Sequence, residues 1–182
     1  ARRLAETRLA HLPQYRDGFK PHWVGGKMPH FKAGEWVFIC SMGDISFASD
    51  AEFGQIRDVL EFNNGTRFLL QSKNPKRFQD WVPLPLNVWL GTTIETDLDG
   101  PQWTKAPMPW NRAYWLTQIK HTHKLVSIEP IMEMDVERME CWIRILQPEI
   151  VFIGADSLHN NLPEPSWDKV SRLLSGLREF VP

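Results

Sequence analysis

The sequence predicts an α/β protein built on parallel strands. Three observations predict it. Short apolar, β-rich runs recur along the chain. Each run ends in small and polar residues, and a segment of helical period follows it. The runs are near-continuously apolar, as strands buried on both faces are.

The first run is Trp36–Cys40, followed by Ser41-Met42-Gly43-Asp44. A helix fits Asp50 to Phe62, with Phe53, Ile56, Val59 and Leu60 on one face and Asn63-Asn64-Gly65 as its stop. The second run is Arg67–Leu70, ending in Gln71-Ser72-Lys73. Asn74 and Pro75 then start a short helix as cap and first-turn proline. The third run is Val88–Thr93, ending in Ile94-Glu95-Thr96. An irregular stretch follows from Asp97 to Trp110, carrying Pro101, Pro107 and Pro109, and its length marks a functional loop or lid. A helix is expected around Arg112 to His121. The fourth run, Lys124–Val126, ends in Ser127-Ile128-Glu129-Pro130, where Pro130 restrains Glu129 to extended backbone. Asp135 caps a helix carrying Val136, Met139, Trp142, Ile143 and Leu146. The fifth run, Ile150–Ile153, ends in Gly154-Ala155-Asp156-Ser157. Ser166 caps a last helix from Trp167 to about Phe180, with Val170, Leu173, Leu174 and Leu177 inward. An open doubly wound sheet and a partial barrel both fit this alternation.

Composition narrows the function classes. The 182 residues suit one domain, with irregular loops at 17–35 and 97–110, and are too few for a complete eight-unit βα barrel of about 250 residues. With 42% hydrophobic and 24% charged residues the chain is globular rather than disordered. No apolar run reaches the roughly 20 residues of a membrane span, so no membrane partner is expected. Two cysteines, Cys40 and Cys141, make no disulfide framework and read as core thiols in a cytoplasmic protein. The net charge of -1 carries no basic excess for non-specific phosphate binding. Lys20, His22, Trp23 and Lys27, and again Trp103, Lys105, Trp110 and Arg112, do mix basic and aromatic groups in a way that suits a nucleobase. The six histidines show no ligand spacing, and His121 and His123 are expected in surface or loop positions. No Ser-His-Asp order, phosphate loop or nucleophile elbow is present.

In parallel α/β folds chemistry sits at the carboxyl ends of the strands. Here those ends carry Ser41, Gly43 and Asp44; Ser72 and Lys73; Thr93 and Glu95; Ser127 and Glu129; and Asp156 and Ser157. Carboxylates gathered at one mouth raise one another's pKa, and a cation or polar ligand relieves that cost.

The stretches Val37–Asp44, Phe68–Arg77, Asn87–Glu95, Val126–Pro130 and Ile153–Ser157, in this order, resemble a phage-associated and archaeal family of unknown function. That family is related to the radical S-adenosylmethionine enzymes and, distantly, to the spore photoproduct lyase type. The resemblance spans about the whole chain. It implies a partial (βα)6 TIM-like barrel with S-adenosylmethionine across the strand ends. It also implies a [4Fe–4S] cluster on three cysteines in a loop after a first strand. Ala1–Glu6 resembles the helix that follows that loop, so this chain is expected to be a piece of a longer protein, lacking the first strand and the cluster cysteines.

By the same resemblance Ser41, Gly43 and Asp44 would approach the methionyl part of the cofactor, and Ser72 and Lys73 would lie next, with Lys73 toward its carboxylate. Thr93 and Glu95 would reach the ribose hydroxyls. Ser127 would face cofactor or substrate, with Glu129 and Asp156 as the candidate catalytic residues. The expected function is radical chemistry on an unknown substrate, with a nucleic-acid base as one candidate. Two alternatives stand beside it. One is a hydrolase holding a divalent metal on Asp44, Glu95, Glu129 and Asp156. The other is a cluster-free nucleic-acid-binding module.

Overall fold

The computed structural model describes residues 29–40, 43–98, 104–157 and 159–182. The expected helix at Ala1–Ala10, the Lys20–Lys27 loop, Ser41 and Trp103 lie outside the described residues.

Five parallel strands form one sheet in sequential order: β1 (Trp36–Ile39), β2 (Arg67–Gln71), β3 (Val88–Thr93), β4 (Lys124–Ile128) and β5 (Ile150–Ile153). The sheet curls into a half-barrel. Helices α1 (Asp50–Phe62), α2 (Pro109–Gln118), α3 (Val136–Leu146) and α4 (Trp167–Leu177) cover its convex side. Sequential order, with the described helices on one side of the sheet, decides between the two architectures the sequence left open, because a doubly wound sheet places helices on both faces. No described helix is long and apolar enough to cross a membrane.

Register divides each strand between two faces. Leu70 pairs with Leu90, and Val126 with Val151. Phe68, Leu70, Val88, Leu90, Val126 and Ile128 are buried in the core beneath the helices. The alternate residues face the concave side. In the middle of the sheet Leu69 and Leu125 are buried there too, but at the edges Trp36, Phe38 and Phe152 are exposed. The apolar runs are thus buried on both faces only in the central strands.

Local signals account for the helix bounds. Ser49 opens α1 in a reciprocal capping box with Glu52. Asp135 accepts from Arg138 N–H at α3, and Ser166 from Lys169 N–H at α4. Helix α2 starts earlier than expected, at Pro109, because proline suits a first helical position. It stops at Gln118, and α4 stops at Leu177. Pro75–Asp80 forms a 3₁₀ helix, and Asn74 makes no side-chain cap there. Its backbone N–H instead donates to Ser72 Oγ at 2.8 Å.

One residue departs from expectation. Cys141 is exposed, because the inward stripe of α3 is Val136, Met139, Ile143 and Leu146. Cys40 is half-buried in a left-handed turn at φ 59°. His121 and His123 lie in the loop between α2 and β4, as expected, and are half-buried and partnered there: His121 Nε2 lies 2.7 Å from Val88 O, and His123 Nδ1 lies 2.8 Å from Glu149 Oε1.

Asn87 ties the bottom of the sheet to α1. The two protons of its Nδ2 are shared among the carbonyls of Leu60, Asn63 and Thr66, at 3.1, 3.1 and 3.0 Å. Replacing it leaves buried carbonyls without their donor. Asn87→Ala is expected to lower stability by about 1–3 kcal/mol in urea denaturation, with an unchanged m-value.

Candidate functional site at the strand ends

Glu95, two residues past the end of β3, is the centre of the mouth. It is buried and carries two cations. Lys73 Nζ, from the end of β2, binds Oε1, and Arg112 Nη1, from α2, binds Oε2 at 2.7 Å. Arg112 is the largest fully buried side chain. Its Nη1 also donates to Thr93 O at 3.0 Å and its Nε to Pro107 O at 2.6 Å. Burial pushes the Glu95 carboxyl up, but Lys73 and Arg112 outweigh it and hold the group below the usual carboxylate range.

Asp44 and Ser72 form a brace. Asp44 accepts from Ser46 N–H at 2.9 Å, Ser72 Oγ at 2.6 Å and Lys73 N–H at 2.7 Å. Ser72 O in turn accepts from Thr92 Oγ1 at 2.7 Å. These bonds join the segment after β1 to the ends of β2 and β3 and hold the backbone that presents Lys73. Gly43 borders open space: a Cβ there would meet nothing within 4 Å.

Thr93 and Ser127 are register partners and stand side by side on the concave face. Gln71 Nε2 donates to Thr93 Oγ1 at 2.8 Å. Glu129 is exposed and lies against the backbone of Gly154, where a Cβ would sit 2.8 Å from its Cγ and Cδ. The Glu129–Pro130 peptide is cis. Asp156 belongs to its own loop: it holds Asn160 through the backbone N–H and through Nδ2 at 2.8 Å.

The structure therefore brings Lys73, Thr93, Glu95 and Ser127 to one mouth, with Glu129 beside Gly154 at its β4–β5 side. Of the four acids of the metal-hydrolase alternative, Asp44, Glu95 and Asp156 keep separate partners, and Glu129 has none among the described residues. Among the described residues no three His, Cys, Asp or Glu side chains are grouped to hold a metal.

Two residues of the mouth have roles that the sequence does not assign them: Arg112 is fully buried rather than open to a nucleobase, and Gln71 bonds Thr93. Arg112 lies on the same stripe as Pro109, Ala113 and Leu116, all buried, so the helical spacing carries the signal once α2 begins at Pro109. Gln71 follows Leu69 by two positions, and that period places it on the concave face.

Comparison of the chain with family models, with curated proteins and with solved structures finds no match.

Removing the guanidinium leaves buried acceptors unpaired. Arg112→Met is expected to cost about 3–5 kcal/mol, read by chemical denaturation at pH 7. The Glu95 carboxyl has a folded pKa below its unfolded value of 4.5, so its contribution is present above pH 4.5 and is lost as the pH falls through the folded value. Glu95→Gln is expected to flatten the stability profile below pH 4.5 relative to the parent, which acid titration of the unfolding midpoint reads out.

Proposed function

We propose that the mouth binds S-adenosylmethionine and that this chain is the body of a radical-SAM-like enzyme. One observation carries the reading. A sequentially ordered, all-parallel half-barrel sets Lys73, Thr93, Glu95 and Ser127 around one opening at its strand ends. That is where βα folds bind polar ligands. Lys73 suits the methionyl carboxylate, because its ammonium lies at the rim. Glu95 and Thr93 offer acceptors to ribose hydroxyls. Glu129, without a hydrogen-bond partner among the described residues, suits a donor on cofactor or substrate. Asp44 and Ser72 act through the backbone they brace.

The [4Fe–4S] group does not fit the residues of this chain. A cluster needs closely placed thiolates. Cys40 is half-buried at the end of β1, and Cys141 is exposed on α3. Burial, reinforced by Asp44, pushes the Cys40 thiol up and keeps it protonated. In this reading the cluster ligands come from polypeptide outside this sequence, and the chain alone binds the cofactor without cleaving it.

S-adenosylhomocysteine titrated calorimetrically into the chain is expected to bind saturably. Lys73→Met removes a charge-assisted contact worth about 1.5–3 kcal/mol and is expected to weaken binding tenfold or more. An absence of saturable binding by the folded parent overturns the proposal. Anaerobic incubation of the chain with ferrous iron and sulfide is expected to give no iron–sulfur charge-transfer absorption.

A further inference from the structure

Beneath the mouth, the concave face carries a half-open apolar cavity of about 340 Å³. Trp36, Phe38, Leu69, Leu125, Ile150 and Phe152 line it. Among the described residues no ionisable side chain contributes to that lining. The volume is at the low end of ordinary small-molecule pockets, about 300–1,000 Å³.

Its walls differ in how they are held. Trp36 already has neighbours for its ring: Trp89 at 4.6 Å between centroids and the Arg67 guanidinium at 5.6 Å. Trp89 is fixed by Glu149, which accepts its Nε1–H at 2.8 Å, and by stacking on His123 at 4.4 Å. This wall is rigid. Phe38 on β1 and Phe152 on β5 have no aromatic partner among the described residues and are 46% and 50% exposed. Two free rings thus project from opposite edges of the sheet into one cavity.

Gln71, Thr93 and Ser127 do not line the cavity but stand one step further along the same face of the strands, where the face turns polar. Ser127 pairs in register with Thr93 on one side and Phe152 on the other. It is only 6% exposed, yet its hydroxyl has no hydrogen-bond partner among the described residues. That hydroxyl keeps contact with solvent and is open to a ligand atom. Thr93 Oγ1 accepts from Gln71, so its own proton is free to donate, and Gln71 Oε1 is free to accept.

We propose that the concave face binds an uncharged, planar heteroaromatic ring of nucleobase size, stacked by Phe38 and Phe152 and hydrogen-bonded at its edge by Ser127, Thr93 and Gln71. The absence of charge in the lining selects a neutral ring. Donor and acceptor side by side above the cavity select an edge of amide type, and the two Phe rings select a flat aromatic ring over an aliphatic one that carries the same amide. The inference rests on the strand-end mouth as a ligand site and gives the group beneath it a chemical class.

The test uses thymine, with cyclohexanecarboxamide as the non-aromatic probe, in ligand-observed saturation-transfer NMR on the whole chain. Thymine is expected to bind at least tenfold more tightly than cyclohexanecarboxamide. Phe38→Leu and Ser127→Ala are each expected to weaken thymine several-fold, with thermal melts showing both variants folded. Equal binding of the two probes, or thymine binding that neither variant changes, overturns the inference. So does displacement of thymine by S-adenosylhomocysteine, which assigns the cavity to the cofactor's own adenine. Thymine binding without any S-adenosylhomocysteine binding supports the ring site and overturns only the reading of the mouth. A six-residue oligothymidylate separates the sources of the ring. Tighter, salt-sensitive binding that still depends on Phe38 assigns it to nucleic acid, and affinity equal to thymine assigns it to a free base.

Discussion

A buried guanidinium joins the end of the central strand to the helix that covers it. Arg112 has no access to solvent, so its charge must be met inside the protein. Thr93 O and Glu95 meet it at Nη1 and Pro107 O at Nε, while Nη2 is buried without a hydrogen-bond partner among the described residues. This fixes where β3 ends, how the loop before α2 returns, and where Glu95 points. Glu95 then holds Lys73 from the neighbouring strand, and Asp44 and Ser72 hold the backbone around Lys73. The geometry of the mouth follows from one charge that cannot be left unpaired.

The half-barrel divides the labour between its faces. The convex face is a conventional core of aliphatic strand residues against amphipathic helices, and it supplies the stability. The concave face is apolar but only partly covered, and its edge strands leave large side chains open to solvent. Contiguous exposed apolar surface of that kind marks a place where something binds. Polar groups lie along the top of the same face, so a ligand there meets an apolar floor and hydrogen-bonding groups beside it.

The mouth holds its acids apart. Glu95 is neutralised by two cations, Asp44 is spent on donors from its own surroundings, and Asp156 organises the loop after β5. Only Glu129 remains without a hydrogen-bond partner among the described residues. Four carboxylates near the ends of parallel strands looked in sequence like one charge cluster in need of a cation. In the fold three of them are satisfied separately, and the repulsion that a metal would relieve is absent.

The sequence by itself determined the alternation of strand and helix, the caps at Asp135 and Ser166, and the polar character of the strand ends. These are local matters: period, β-branched content and a short polar side chain before a helix decide them. Tertiary structure decided what depends on residues far apart in the chain. The curl of the sheet sets which face of each apolar run is buried, so Leu70 lies in the core while Phe38 opens to solvent. Pairing across the mouth turned Arg112 from a loop-end charge into a buried anchor and gave Glu95 its two cations. A side chain's partners come from other strands and helices, and only the folded sheet brings them within hydrogen-bonding distance.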